Sequence, residues 1–168
     1  MQTLLPDCSV RKLQPVNADI EKIYAMASQN TLFYQYHPPF VTWQSILDDM
    51  SALPPGKTMA DKFYIGFFDG AALAAVVDMI LAYPNETTGY IGFFMVDKSR
   101  QGQGIGSIVA DIENTMRNNG MCHSRLAVDK GNPQSYSFWT KNGYAVCGPE
   151  IPNDFSAYIP MQKELTPL

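Results

Sequence analysis

Between Phe63 and Val96 the apolar residues fall into three runs, "FYIGFFDG", "AALAAVVDMIL" and "TGYIGFFMV", separated by Asp69–Gly70 and by Pro84–Asn85. Short runs rich in aromatic and β-branched residues, bounded by turn formers, read as strands, and Asp-Gly between two of them signals a hairpin. Three successive strands are predicted here. Upstream the spacing is helical instead: Ile20, Ile23, Tyr24 and Ala27 follow Asn17, a candidate cap, and Trp43, Ile46, Leu47 and Met50 follow Thr42, a second one. Pro54, Pro55 and Gly56 close the second helix, and Val10 to Leu13 reads as a short first strand. The linker "LFYQYHPPF" between the helices is aromatic and proline-rich. It is either a pocket wall or a rigid loop over the core. Downstream, Ile105, Ile108, Val109, Ile112 and Met116 recur at helical intervals until Gly120. "SRLAVD" is a strand, Asn132–Pro133 opens a further helix that stops at Gly143, and "YAVCG" and "FSAYIPMQK" are final strands. Helices, then antiparallel strands, then strand–helix–strand–helix–strand describe an α/β fold around a mixed sheet.

Composition narrows the function classes. A chain of 168 residues fits a single domain over 1–168, and 46% hydrophobic residues suffice for one core. The net charge of −4 provides no basic footprint for nucleic acid, though it suits a cationic small substrate. Cys8, Cys122 and Cys147 have neither even count nor metal-ligand spacing, and His37 and His123 lie far apart, so no metal is expected. The amino terminus lacks the basic-then-apolar order of a signal peptide, and the longest apolar run is broken by Asp78 and too short to span a bilayer. A soluble cytoplasmic protein is expected, without nucleic-acid or membrane partners; a homodimer is left open.

The segment "RQGQGIGS", Arg100 to Ser107, sits between a strand and a helix with glycine at every second position. A helix start presents unpaired N–H groups and the positive end of a dipole, and glycines let the preceding backbone curl its amides inward. Lys98 and Arg100 add positive charge. The segment is therefore a phosphate cradle or, more blandly, a flexible turn. It is not a Walker A loop, because Gly106 is followed by Ser107 and Ile108 with no lysine. Nor is it a dinucleotide fingerprint, since that lies in the first strand–helix turn of its fold and this one follows an antiparallel group.

At this point the sequence resembles the GNAT superfamily of acyl-CoA-dependent N-acetyltransferases. Its signature Gln/Arg-x-x-Gly-x-Gly/Ala is met by Gln101, Gly104 and Gly106 after Val96–Asp97, and "GNPQSYSFWTKNGY" supplies the second signature through Asn132, Ser135, Phe138–Trp139 and Gly143–Tyr144. The resemblance implies the GNAT acyl-CoA N-acyltransferase fold, with a mixed central sheet of six to seven strands, helices on both faces and a splay between central strands. It implies acetyl-CoA as co-substrate and no metal. Gln101, Gly102, Gln103, Gly104, Ile105, Gly106 and Ser107 would take the pyrophosphate. Backbone groups of Phe94, Met95 and Val96 would pair with the pantetheine arm, and a strand N–H there would polarise the thioester carbonyl. Asn132 would reach pantetheine from the opposite wall, with Phe138 and Trp139 nearby, and Lys141 would approach the phosphates or remain a solvated charge. Gly92 is expected to mark the bulge that the family places in this strand, or else to make room for an aromatic neighbour.

The implied reaction is direct attack by a neutral primary amine of a small molecule or peptide on the thioester. The family's usual acid is a tyrosine at the place that Trp139 fills, and an indole N–H can donate a hydrogen bond but cannot release a proton near neutrality. Tyr136, one helical turn back, is the first substitute and Tyr144 the next. "YIGFFMV" has no carboxylate to act as base, whereas Asp78 stands alone in an apolar strand and must be paired, hydrated or functional. Asp78 could bind the amine as a cation or relay its proton; it could also be a partly exposed edge residue. Acceptor selectivity is expected in Gln29 to Phe40 and Tyr83 to Gly89. Two other readings stay open: a non-catalytic acyl-CoA-binding module of the same fold, and an interaction domain that uses "LFYQYHPPF".

Overall fold

The computed structural model describes residues 8–103 and 105–166. In chain order the elements are β1 (Cys8–Lys12), α1 (Asn17–Ala27), α2 (Thr31–Tyr36), α3 (Trp43–Ser51), β2 (Lys62–Asp69), β3 (Ala72–Ile80), β4 (Thr88–Val96), α4 (Gly106–Asn118), β5 (His123–Asp129), α5 (Pro133–Lys141), β6 (Ala145–Val146), β7 (Ile151–Pro152) and β8 (Ala157–Glu164). The described strands form one sheet in the order β1-β2-β3-β4-β5-β8-β6, with β7 beside β8. Six strands are long. β6 and β7 are two-residue additions at one end.

Side-chain alternation along the strands builds two cores, one on each face of the sheet. In β3, Ala75, Val77 and Met79 point to one face, where Ile108, Val109, Ile112 and Met116 of α4 cover them. Leu73 and Val76 point to the other, under Ile20 and Ile23 of α1 and Ile46 and Met50 of α3. Burial on both faces explains why β3 reads as a continuous apolar run. Each fully buried aliphatic side chain in these layers contributes about 1.5–3 kcal/mol relative to exposure.

Helix starts show where local rules hold and where tertiary contacts override them. Thr42 caps α3 as expected: its Oγ1 accepts from the Ser45 N–H at 3.0 Å, and the Ser45 hydroxyl accepts from the Thr42 N–H at 2.9 Å. Asn17 does not cap α1. It is the first helical residue, Val16 holds the cap position without a side-chain bond, and the first turn is fixed by Asp19 instead. Asp19 accepts from the Gln14 N–H at 2.8 Å and from both terminal nitrogens of Arg11, at 3.0 and 2.7 Å. The linker expected as a wall or rigid loop contains a short helix, α2.

Two features of the sheet open the molecule at its centre. Asp78 pairs with Phe93 and Met79 pairs with Ile91, so Gly92 is an extra residue that bulges β4. Beyond the bulge β4 loses β5: their parallel pairing joins Thr88–Ile91 to His123–Leu126 and stops. β5 continues to Asp129 alongside β8, so β4 and β5 splay apart past Ile91.

Candidate active site

One flank of the splay is a groove of about 500 Å³. Its backbone wall is β4. The Asp97 N–H donates to the Ala74 carbonyl, so strand alternation turns the backbone groups of Val96 and Phe94 away from β3, into the splay, and those of Met95 toward β3. The Val96 carbonyl is already taken by the side-chain amides of Asn30 at 3.4 Å and Gln101 at 3.2 Å. Gln101 ties three elements together here, since it also donates to Asn30 Oδ1 at 2.7 Å and accepts from Gln134 at 3.2 Å. Opposite, Asn132 is 2% exposed and caps α5 through Oδ1, which accepts the Gln134 and Ser135 N–H groups. Among the described residues its amide nitrogen takes no partner, and the residue lines the groove. Gly102, Ile105 and Gly106 lead into the first turn of α4 at the groove's far end, with Lys141 beside them. Gly102 has φ +78°, a conformation that favours glycine.

The other flank is a cavity of about 350 Å³ with a different chemistry. Asp49 from α3, Asp78 from β3, Asp129 from β5 and His37 at the end of α2 contribute its charged groups. Asp78 Oδ2 accepts from Lys62 Nζ at 2.9 Å, and the same ammonium donates to the Ala52 carbonyl at 2.9 Å. Asp78 Oδ1 is buried without a partner among the described residues. Gly92 makes the carboxylate's position available: a Cβ there would stand 3.3 Å from Asp78 Oδ2. His37 Nδ1 lies 3.0 and 3.1 Å from the two carboxylate oxygens of Asp129.

Burial pushes the Asp78 carboxyl above its usual range, against the Lys62 bond, which pulls it down. Asp49 is also raised, by burial first and then by repulsion from Asp78. His37 is raised chiefly by its bond to Asp129, with burial opposing. Three carboxylates face one ammonium and one imidazole, so the cavity carries negative charge and favours a cation. Groove and cavity meet where Phe33, Phe94, Ser135 and Trp139 line both.

Of the residues singled out from sequence, Phe94, Met95, Val96, Gln101, Gly102, Ile105, Gly106, Asn132, Phe138, Trp139 and Lys141 gather on the groove. Met95 contributes no free backbone group, because its N–H and C=O face β3 and its side chain enters the core under α1 and α3. Gln103 turns its amide to the Ser99 carbonyl at 3.1 Å, Ser107 is half-buried in the first turn of α4, and Gly104 lies outside the described residues. Arg100 is not a free charge for phosphate: it pairs with Asp69 at 2.6 Å. Trp139, 6% exposed, packs edge-on against Phe94, Phe138 and Tyr144. Asp78 lies in the cavity, but Tyr136 is 43% exposed and lines neither space. Tyr144 is buried behind the site and donates to Ser124 Oγ at 2.7 Å. Sequence reasoning missed Lys62, His37, Asp49 and Asp129. Gln29 to Phe40 does supply cavity residues, Phe33 and His37, whereas Tyr83 to Gly89 supplies none.

Among the described residues, no cluster of His, Cys, Asp and Glu side chains is arranged to hold a metal ion, and no helix is long and apolar enough to cross a membrane. Comparison with curated protein sequences finds no match. Solved structures share the fold. Ard1 from Thermoplasma volcanium superposes with a TM-score of 0.70 at 22% identity, over 95% of this chain and 99% of that one. An acetyltransferase from Thermus thermophilus gives 0.72 at 15%, over 96% and 99%. The PaiA N-acetyltransferase from Thermoplasma acidophilum, in complex with coenzyme A, gives 0.67 at 19%, over 94% and 98%. The profile of the acetyltransferase (GNAT) family matches residues 21–144, which include β4, the glycine segment, α4 and α5. The chain belongs to the GNAT family of acetyltransferases.

Proposed function

We propose that the protein transfers the acetyl group of acetyl-CoA to a primary amine of a small molecule or peptide, by direct attack in a ternary complex. The observation that carries this reading is the junction of groove and cavity at Phe94, Ser135 and Trp139. One compartment is lined by neutral amides and apolar rings and the other by carboxylates, so a thioester and a cationic amine can meet at a shared wall.

The groove suits coenzyme A. The free N–H and C=O of Phe94 and the N–H of Val96 offer strand-like bonds to an amide-bearing arm, and the Asn132 amide supplies a donor across from them. The turn from Gly102 into Gly106, with Lys141, suits the diphosphate. Bound there, acetyl-CoA supplies the activated acyl group. A β4 N–H facing the splay stabilises negative charge developing on the thioester oxygen. Trp139 shapes the junction and can direct its indole N–H to sulfur. A thiol with an ordinary value near 8.5 leaves readily as thiolate, which lessens the need for an acid at this position. On the acceptor side Asp78, held by Lys62, binds the amine as a cation. We place the protein in the cytoplasm; its free, exposed Cys122 and Cys147 favour a reducing compartment.

A thermal-shift measurement with CoA and acetyl-CoA, followed by thiol release with benzylamine, 1,4-diaminobutane, glycinamide and an alanyl peptide, tests the reading. Stabilisation by both ligands and turnover with at least one amine are expected. Stabilisation without turnover would make the chain a non-catalytic acyl-CoA-binding module. No stabilisation would overturn the assignment of the groove.

A further inference from the structure

We infer that His37, fixed by Asp129, is the base that takes a proton from the acceptor ammonium. This rests on the transfer reaction proposed above and assigns a step that the glycine and aromatic motifs leave open.

The geometry sets the tautomer. Both Asp129 oxygens lie against Nδ1, at 3.0 and 3.1 Å, so the ring proton sits on Nδ1 and is donated to the carboxylate. Nε2 then carries the lone pair, on a ring that forms part of the cavity wall. The ring is held on two further sides. Phe33 packs on it at 5.1 Å between centroids and Tyr158 at 6.3 Å, and Phe33 rests edge-on against Phe93 of the bulged strand. An imidazole fixed by a carboxylate and flanked by two aromatic rings, its side chain still 42% exposed, is placed to exchange a proton with both the cavity and solvent.

The surroundings divide the labour among the cavity's charges. Asp49 of α3 and Asp78 of β3 face the same space, Lys62 of β2 stands behind Asp78, and Tyr158 of β8 flanks the ring. On the far side Tyr36 and Asp154 join His37 and Asp129 around a smaller hollow. Asp78 is bound to a buried ammonium through Oδ2 and offers its unpartnered Oδ1 to hold the substrate's positive charge. His37 has no such cation against it, and its bond to Asp129 raises its pKa, with burial opposing. The step balances. R–NH3⁺ gives one proton to His37 Nε2, and the freed lone pair forms the N–C bond as the C–S bond breaks. The thiolate takes the second nitrogen proton. His37 then returns its proton to solvent, so one proton is released per turnover.

The chain has two histidines, His37 and His123, so imidazole 15N NMR can follow His37 directly. In the wild type, kcat/KM for whichever panel amine is acetylated should rise with pH and level off at the value where His37 titrates, above the ordinary 6.5 or so. His37→Gln should lower the plateau about 100-fold and remove that inflection, leaving CoA stabilisation unchanged. Asp129→Asn should move both the NMR titration and the kinetic inflection downward together. Added imidazole should restore part of the activity of His37→Ala. If the wild type acetylates an amine and His37→Gln keeps the same inflection, this inference falls and the proposed function stands. An NMR titration indifferent to Asp129→Asn also overturns it. If the wild type acetylates none of the amines, the proposed function falls and this inference with it.

Discussion

The two flanks of the splay are built by different means. The groove is made largely from backbone and from residues close together in sequence: β4, the turn after it, and the start of α5. Its side chains are neutral amides and rings, with Lys141 as the charged exception. The cavity takes its charged groups from positions 37, 49, 78 and 129, brought together by four elements. A linear chain can announce the first kind of site, because the geometry is local. The second exists only when the sheet has closed. In the proposed reaction the same contrast would separate their chemistries, fixed amides serving a shared co-substrate and charge from several directions selecting the acceptor.

Asp78→Asn tests the contrast most severely. The kcat/KM for the amine should fall by about 10² or more, as the ammonium loses its buried counter-charge. Leaving Lys62 buried without its anion should cost about 3 kcal/mol of stability. Thermal stabilisation by CoA should persist, because the groove does not use this carboxylate; its loss would show that the flanks are coupled. Asn132→Ala should do the reverse. Loss of the α5 cap should cost about 1 kcal/mol, and loss of one amide donor should weaken CoA binding about tenfold, with the amine KM unchanged. Tyr136→Phe should have the smallest effect: an exposed hydroxyl outside both spaces should change stability by less than about 0.5 kcal/mol and leave kcat unaltered. A tenfold fall in kcat there would return the proton-donor role to Tyr136.

Particular residues show how much of this could be read in advance. Short apolar runs bounded by turn residues marked β2, β3 and β4, and Gly92 offered the bulge as one of two readings, because both signals arise within one strand. Asp78 was conspicuous as a charge inside an apolar run. Its partner Lys62 was not, because the two meet through the β2–β3 register sixteen positions apart. Asn17 looked like a cap but lost that role to buried Asp19, which pairs with the exposed Arg11, a tertiary bond that no local rule contains. His37 lay within the expected selectivity segment, yet nothing near it in sequence predicts Asp129, 92 positions away. Tyr136 was placed by helical spacing alone, which gives relative direction around α5 but not which side meets the sheet.

The kink at Gly92 restricts how this fold can be re-engineered. A Cβ at position 92 would stand 3.3 Å from Asp78 Oδ2, so any side chain placed there presses on the carboxylate that holds Lys62. Grafting an acidic residue at 92 would therefore bring a second carboxylate against Asp78 with only Lys62 to balance the pair, so the exchange is best made together with a neutral residue at 78.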